Sequence, residues 1–274
     1  MRLDKKVSAI VVNYNRRDLL HDCLSSLLTP RDGYLTEVIV VDNASCDGSA
    51  DFVRTRFPQV RLFANKENEG YAKACNKGIR SSCGDYILIL NGDIIVQKGA
   101  IEHLVEFIRS RDNAGAVSGR LLNPDGSIQR EYLGAKFPGL RQVFHFFAHG
   151  RTYMAYDHID FNAVCKVDQP PGACVMVKRS VIDKVGLMDE RFFLWYEDVD
   201  WCLRIRKAGF DNYYFPGADF IHVGGASFDI EKKELKERYL KESLEYYIDK
   251  HFSRYSISLL RFLARVRLPQ QKRE

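Results

Sequence analysis

The chain has 274 residues, 46% of them hydrophobic, which is enough apolar material for one large domain or a domain with an appendage. No run approaches the ~18 apolar residues of a membrane-spanning helix, and the first apolar run, Val7–Val12, is too short for a secretory signal, so a cytoplasmic location is expected. The net charge is +5, and His251 to Glu274 alone holds six basic residues and one acid, leaving 35 of the 41 basic and 35 of the 36 acidic residues to balance elsewhere. An electrostatic partner is therefore met by the tail, and no nucleic-acid partner is expected.

Val7–Val12 is a continuous, mostly β-branched run, as in a strand buried on both faces. Arg17–Leu28 places Leu20, Leu24, Leu27 and Leu28 at helical spacing before Pro30. Glu37–Val41 reads as a second buried strand. Asp47 or Ser49 would cap a helix reaching Phe57, ahead of Pro58. Val60–Ala64 follows as a strand, Tyr71–Ser82 as a helix and Tyr86–Leu90 as a buried strand. This alternation predicts a mostly parallel sheet with helices on both faces, its strand C-termini along one ligand-binding edge.

From about Gly119 to Gln169 the pattern weakens. Asn123-Pro124-Asp125-Gly126 signals a turn, and the aromatic-rich stretch Phe137–Tyr156 reads as a loop or lid-like excursion. Gly172–Lys178 resumes as a strand, Ser180–Val185 as a short helix and Asp198–Lys207 as a helix. Tyr213–Phe215 and Asp219–His222 read as two short strands. From about Ile230 the chain is helical and charged, with Leu240, Leu244, Tyr247 and Ile248 on one face. Leu259, Phe262, Leu263 and Val266 follow at i, i+3, i+4, i+7, with Arg254, Arg261 and Arg265 on another face. Such a helix either lies on an anionic membrane surface or packs on its own domain or a partner. The expected division is a domain at 1–229 and a basic amphipathic extension at 230–274.

Three polar clusters, Asn13-Tyr14-Asn15, Asp42-Asn43 and Asn91-Gly92-Asp93, each directly follow a strand and so converge on one crevice. Asp93 suits a cation held by one carboxylate plus substrate phosphate oxygens, or it caps the next helix. Gly92 beside it lets backbone approach closely. Asp42 suits a base N–H or ribose hydroxyl, or it bonds its own turn. In Glu197-Asp198-Val199-Asp200, acids follow the aromatic run Phe192–Tyr196. That placement suits a partly desolvated general base, or acids complementing a helix N-terminus. His222 ends a strand before Val-Gly-Gly, as a cation or phosphate contact or as a structural histidine. Seven cysteines without a Cys-x-x-Cys pair are expected as free thiols, with no structural zinc. No Gly-x-Gly-x-x-Gly follows the first strand, and neither a Walker A sequence nor a Gly-x-Ser-x-Gly elbow occurs. Dinucleotide-binding, P-loop and serine-hydrolase readings therefore lose their anchors.

Taken together, Val-Val-Asn-Tyr-Asn, Val-Asp-Asn-Ala-Ser-Cys-Asp-Gly-Ser, Asn-Glu-Gly-Tyr-Ala-Lys-Ala-Cys-Asn-Lys-Gly, Leu-Asn-Gly-Asp and Tyr-Glu-Asp-Val-Asp-Trp-Cys-Leu-Arg resemble family 2 glycosyltransferases of the GT-A fold, over roughly Val7 to Phe228. Asn-Pro-Asp-Gly-Ser-Ile-Gln at 123–129 and Gly-Ala-Cys-Val-Met-Val-Lys-Arg at 172–179 are similar to the rhamnosyltransferase-like branch, which builds bacterial surface polysaccharide. The resemblance implies an α/β GT-A fold, a Rossmann-like sheet flanked by helices, with a C-terminal helical extension.

The resemblance also implies roles. Val12, Asn13 and Tyr14 would line the nucleotide, and Asp42, with Asn43 beside it, would meet the base. Gly70, Lys73 and Asn76 would lie near base, ribose or diphosphate. Asp93 would be the last acid of an Asp-x-Asp motif whose first acid is here Asn91, next to Gly92. Asp93 and His222 would hold Mn²⁺ or Mg²⁺. Asp198 would be the general base, with Gly172, Trp195 and Glu197 shaping the acceptor and sugar pocket. The implied reaction is inverting transfer of a sugar from a nucleotide diphosphate donor, dTDP-rhamnose or a UDP-sugar, to a glycan or lipid-linked acceptor. A non-catalytic nucleotide-sugar-binding module and a nucleotidyltransferase remain as alternatives.

Overall fold

The structure, a computed structural model, describes residues 6–29, 33–130, 133–150, 153–224 and 233–267. The chain runs β1 (Val7–Asn13), α1 (Arg17–Leu28), β2 (Leu35–Asp42), α2 (Ser49–Arg56), β3 (Arg61–Ala64), α3 (Tyr71–Ser81), β4 (Tyr86–Asn91), β5 (Ile94–Val96) and α4 (Ala100–Arg109). It continues through β6 (Ala114–Leu122), α5 (Leu140–His149), β7 (Cys165–Val167), β8 (Cys174–Lys178), α6 (Arg179–Val185), α7 (Glu197–Lys207), β9 (Asp211–His222), α8 (Lys233–His251) and α9 (Arg254–Arg267).

These strands form one sheet in the order β3-β2-β1-β4-β8-β6-β9-β5, with β7 added on β9. The first half, β3-β2-β1-β4, is parallel as the sequence predicts. The second half is mixed: β6 runs parallel to β9, whereas β8 runs antiparallel to β4 and β6, and β5 and β7 antiparallel to β9.

Period-two alternation splits each central strand between two cores. Val7, Ala9 and Val11 face α1, α2 and α4 through Leu20, Leu24, Val53, Leu104 and Ile108. Ile10 and Val12 face α3, α6 and α7 through Ala74, Ile79, Val181, Trp201 and Ile205. Both faces of β1 are thus dry, which explains its unbroken apolar run.

Two expectations are corrected. The stretch 137–156 is not an excursion: it contains α5, whose Val143 and Phe146 pack on Leu244 and Ile248 of α8 and Ile257 of α9. The two short strands after residue 212 are one, β9, bulged where its register with β6 shifts between Ser118 and Arg120. Pro216-Gly217 falls in that bulge, where a missing ladder donor is tolerated.

The C-terminal helices are seated on the α/β body. Asp200 of α7 is fully buried, and its carboxylate lies 2.7 Å from Lys250 Nζ and 2.7 Å from His251 Nε2 of α8, with Arg204 Nε donating at 2.8 Å. Ser243 donates to Leu194 O at 2.8 Å, and Tyr247 packs with Phe192 and Val199. α8 therefore braces both the helix carrying Glu197-Asp198 and the segment leading into it. The division expected near residue 230 lies outside the described residues.

The helix α9 turns its sequence pattern outward. It is seated through Ile257, Leu260 and Ala264, whereas Leu259, Phe262, Leu263 and Val266 are 57%, 61%, 42% and 65% exposed. Among the described residues, no helix is long and apolar enough to cross a membrane. All seven cysteines are free thiols, as expected.

Candidate active site

The parallel strands deliver their polar ends to one edge. Asn13 Nδ2 donates to Asp42 Oδ1 at 2.9 Å, across the register that pairs these two strand ends. Asp42 also accepts from Ser45 N at 3.0 Å and Ser45 Oγ at 2.6 Å, so the turn bonding that the sequence allowed is present. Asn43 is buried and organises the next loop: it donates to Asn68 Oδ1 and Gly70 O and accepts from Asn65 Nδ2 and Glu69 N. Val12 sits at the end of β1, Tyr14 is half-buried after it, and Lys73 is exposed on α3. Gly70 meets the backbone of Phe193, whose carbonyl accepts from Tyr71 N at 2.8 Å.

Asn76 faces inward from α3. Its amide, fully buried, donates to Met188 O at 2.9 Å and Glu190 Oε1 at 3.0 Å and accepts from Met188 N at 3.1 Å. Its polar atoms bind the 188–190 loop to α3.

Asp93 and His222, 129 positions apart in sequence, meet through one register. β5 begins directly after Asp93 and pairs Ile94 with His222 of β9, and Val223 N donates to Asp93 O at 3.1 Å. His222 Nε2 then lies 3.5 Å from Asp93 Oδ1. Burial pushes the Asp93 carboxyl upward against the field of His222, and it pushes the His222 imidazole downward against the field of Asp93. Among the described residues, Asp93 Oδ1 is buried without a hydrogen-bond partner. Among the described residues, no group of three or more His, Cys, Asp or Glu side chains stands ready to hold a metal. Two protein ligands with the rest from phosphate oxygens and water is the way such ions are held beside a diphosphate, so the pair fits Mg²⁺ or Mn²⁺.

A second acidic pair lies at the start of α7. Glu197 and Asp198 open α7, after Trp195 and Tyr196, both with left-handed φ of 66° and 67°. Burial and the neighbouring Asp198 hold the Glu197 carboxyl well above its usual range, and Glu197 Oε2 has no hydrogen-bond partner among the described residues. Burial also raises Asp198, but there the amides of Val199, 2.8 Å from Oδ1, and Gly172 oppose the rise. A Cβ at Gly172 would stand 2.3 Å from Asp198 Oδ2, so the carboxylate occupies space that only glycine leaves open.

Tyr71 joins the two sides. Its hydroxyl donates to Asn91 Oδ1 at 2.9 Å and lies 3.2 Å from Gly172 O. Arg16, just past β1, reaches Asp93 with its field and buries Nε and Nη2 without hydrogen-bond partners among the described residues. Gln129 touches His222. The sequence reading assigned no role to Tyr71, Arg16 or Gln129, although Tyr71 and Gln129 lie inside quoted motifs and Arg16 follows Asn13-Tyr14-Asn15 directly.

Strain and unsatisfied polarity mark the same place. All four non-glycine residues with positive φ among the described residues, Asn15, Ala44, Trp195 and Tyr196, lie in segments that end on this crevice. Of the seven buried side-chain polar atoms without partners there, five belong to Asn13, Arg16, Asp93 and Glu197. Native interiors satisfy such atoms, so a polar ligand is their natural partner.

The family model described as "Glycosyl transferase family 2" matches residues 8–186. The chain is 29% identical over 229 residues to the N-acetylglucosaminyl-diphospho-decaprenol L-rhamnosyltransferase of Mycobacterium tuberculosis, covering 78% of this chain and 74% of that protein. It is 27% identical over 226 residues to the dTDP-rhamnosyl transferase RfbF of Shigella flexneri, covering 81% and 71%. The solved structure of GalNAc-T7 with UDP, GalNAc and Mn²⁺ superposes with a TM-score of 0.62 at 16% identity, over 81% of this chain and 44% of that one.

Proposed function

The chain belongs to glycosyl transferase family 2 and has the GT-A fold, and from that premise we propose that it transfers a sugar with inversion from a nucleotide diphosphate donor, with Asp198 as base and a divalent cation at Asp93 and His222. The observation that carries the proposal is the Tyr71 hydroxyl, which bonds Asn91, two residues before Asp93, and lies 3.2 Å from the carbonyl of Gly172, the glycine that packs on Asp198, so one side chain ties the segment of the Asp93–His222 pair to that of Glu197–Asp198.

Val12, Asn13, Tyr14 and Asp42 line the nucleotide end of the crevice in this reading, with Asn91 and Gly92 close to the ribose and diphosphate. Mg²⁺ or Mn²⁺, when bound, supplies Lewis acidity to the departing diphosphate. Arg16 adds a fixed positive charge to the same edge. Asp198 takes the proton of the acceptor hydroxyl as its oxygen attacks the anomeric carbon from the face opposite the leaving group. Burial and the neighbouring Asp198 favour the protonated form of Glu197 beside it. Environments that push two carboxyls apart assign their roles, and the one holding amide donors ionises first. A single displacement inverts the anomeric centre. Trp195 and Tyr196 wall the acceptor side.

The names of the two relatives point to rhamnose from dTDP-rhamnose and to a lipid-linked diphosphate acceptor. The test offers dTDP-rhamnose and UDP-hexoses with a polyprenyl-diphosphate N-acetylglucosamine acceptor and Mn²⁺. Expected is release of the nucleoside diphosphate and a product anomer opposite to the donor's. Pyrophosphate release would turn the assignment to a nucleotidyltransferase, and binding without turnover to a non-catalytic module.

The acceptor reading also explains α9. Five large side chains, with Tyr255 at 89% exposure beside the four named above, lie on one face, flanked by exposed Arg254, Arg261 and Arg265. Apolar groups with a basic border complement an anionic bilayer surface. We therefore place the chain at the cytoplasmic face of the membrane. Replacing Arg254 and Arg265 by Gln should weaken binding to phosphatidylglycerol vesicles roughly 30-fold at low salt, from ~1 kcal/mol per basic residue. Equal binding to neutral vesicles, or self-association in sedimentation that Phe262→Ser abolishes, would overturn this placement.

A further inference from the structure

We infer that Gln129 is a positioning residue that locks His222 in the tautomer whose Nε2 lone pair faces Asp93. The inference rests on the assignment of Asp93 and His222 as cation ligands proposed above.

The hydrogen-bond chemistry leaves one arrangement. Gln129 Nε2 lies 2.8 Å from the carbonyl oxygen of His222. A carbonyl only accepts, so this end of the carboxamide is the NH₂ group. The other end, Oε1, then lies 2.9 Å from His222 Nδ1. An amide oxygen also only accepts, so Nδ1 carries the ring hydrogen. In the neutral imidazole Nε2 is left as the acceptor, and it lies 3.5 Å from Asp93 Oδ1. Two acceptor atoms thus face each other, an arrangement completed by a cation between them. Histidines that bind metals are held in this way, by a partner on the nitrogen away from the metal.

The fold builds Gln129 for this contact. The Asn123-Pro124-Asp125-Gly126 turn reverses the chain after β6, with Asn123 N donating to Ser127 O at 2.8 Å and Gly126 N to Asn123 O at 2.9 Å. Asp125 Oδ1 accepts from Ser127 N and Oγ at 2.9 and 2.6 Å. The return segment bridges Leu122 to Ile128, and Gln129 N donates to Leu121 O at 2.9 Å. Gln129 is only 6% exposed. Gly224, with φ of 60°, stands where a Cβ would come within 3.1 Å of Gln129 Nε2. The turn motif and the glycine after His222 thus act on one carboxamide.

The experiment compares Gln129→Leu and Gln129→Glu with wild type. Mn²⁺ affinity is read from the electron paramagnetic resonance signal of free Mn²⁺ with nucleoside diphosphate present. The imidazole tautomer is read from ¹⁵N spectra of the histidines, with His222 assigned by its loss in His222→Gln. Gln129→Leu should bind Mn²⁺ about 10–100-fold more weakly, the usual cost of losing such a partner, and should no longer hold one tautomer. Gln129→Glu keeps an acceptor on Nδ1 but loses the donor to the His222 carbonyl, so it should retain the Nδ1–H tautomer that Gln129→Leu loses. Wild-type affinity in Gln129→Leu would overturn the inference. So would an Nε2–H tautomer in the wild type, a reading that needs no variant to fold. If the wild type binds no Mn²⁺ yet shows an Nδ1–H tautomer that Gln129→Leu disperses, the cation assignment falls and the hold of Gln129 on His222 stands.

Discussion

Asp198→Asn should lower the turnover number by about 10²–10⁴-fold, the span a positioned general base contributes, while leaving donor binding unchanged. The amide keeps the acceptor for Val199 N but cannot take a proton. Burial raises the Asp198 carboxyl above its usual range, so wild-type turnover should fall on the acidic side above the ordinary carboxylate range, as the base becomes protonated. Stability runs the other way. A carboxyl raised in the folded state binds its proton more tightly there than in the unfolded chain. Its contribution is fully present below the unfolded value and is lost as pH rises through the folded one. The ionised form therefore weakens the fold, and at pH values where Asp198 is ionised Asp198→Asn should melt at a higher temperature than wild type while losing its rate. Gly172→Ala provides the control that keeps the carboxyl, since its Cβ would press within 2.3 Å of Asp198 Oδ2 and displace the base. A fall in turnover for both variants identifies position as well as charge. Full turnover in Asp198→Asn with normal donor affinity would remove the base assignment, and a larger loss in Glu197→Gln would transfer it.

The legibility of this chain follows from where each residue finds its partners. The first half was readable because strands β1, β2 and β4 are dry on both faces, and such burial writes unbroken Val/Ile/Leu runs into the sequence. Arg17–Leu28 emerges with the expected boundaries because its buried residues, Leu20, Cys23, Leu24 and Leu27, follow helical spacing. β6 was hidden by its glycines: a Cβ at Gly115 would stand 2.3 Å from Ile205, so packing on α7 replaces the β-branched residues that mark a strand. α5 was hidden because the partners that cover Val143 and Phe146 lie about a hundred positions later, in α8 and α9. In the site, strand-end residues could be placed by alternation alone. Gln129 could not, because its contact depends on a turn, a bulged strand and the register of β5 with β9 acting together. The same distinction separates Asn13 and Asp42 from Asn76, whose polar side chain sits on an inward helix position and bonds a loop more than a hundred residues away.

Asp93→Asn should lower kcat/KM by about 10²–10³-fold, since losing one stabiliser of the charge that develops on the leaving group costs roughly 2.7–4 kcal/mol. Asn91 stands where the resemblance implies a further acid, so Asp93 is the carboxylate of this cluster, with His222 as its neighbour. A site of one carboxylate and one imidazole should hold Mn²⁺ weakly by itself and more firmly once diphosphate oxygens complete the shell. Mg²⁺ demands near-ideal octahedral oxygen ligands and dehydrates reluctantly, so a site that offers an imidazole should be filled more readily by Mn²⁺, and Mn²⁺ should support the higher rate. The measurement is steady-state turnover of wild type and Asp93→Asn with Mn²⁺, Mg²⁺ and a chelator. Wild type should lose its rate to the chelator, and the residual rate of Asp93→Asn should not respond to it. A wild-type rate that ignores the chelator would overturn the cation. The positive charge at this edge would then rest on Arg16, whose buried Nε and Nη2 have no hydrogen-bond partner among the described residues, and Arg16→Gln rather than Asp93→Asn would carry the larger loss. The comparison of those two variants with and without chelator thus decides whether the departing diphosphate is neutralised by an ion held at the end of β4 and β9 or by the guanidinium that follows β1.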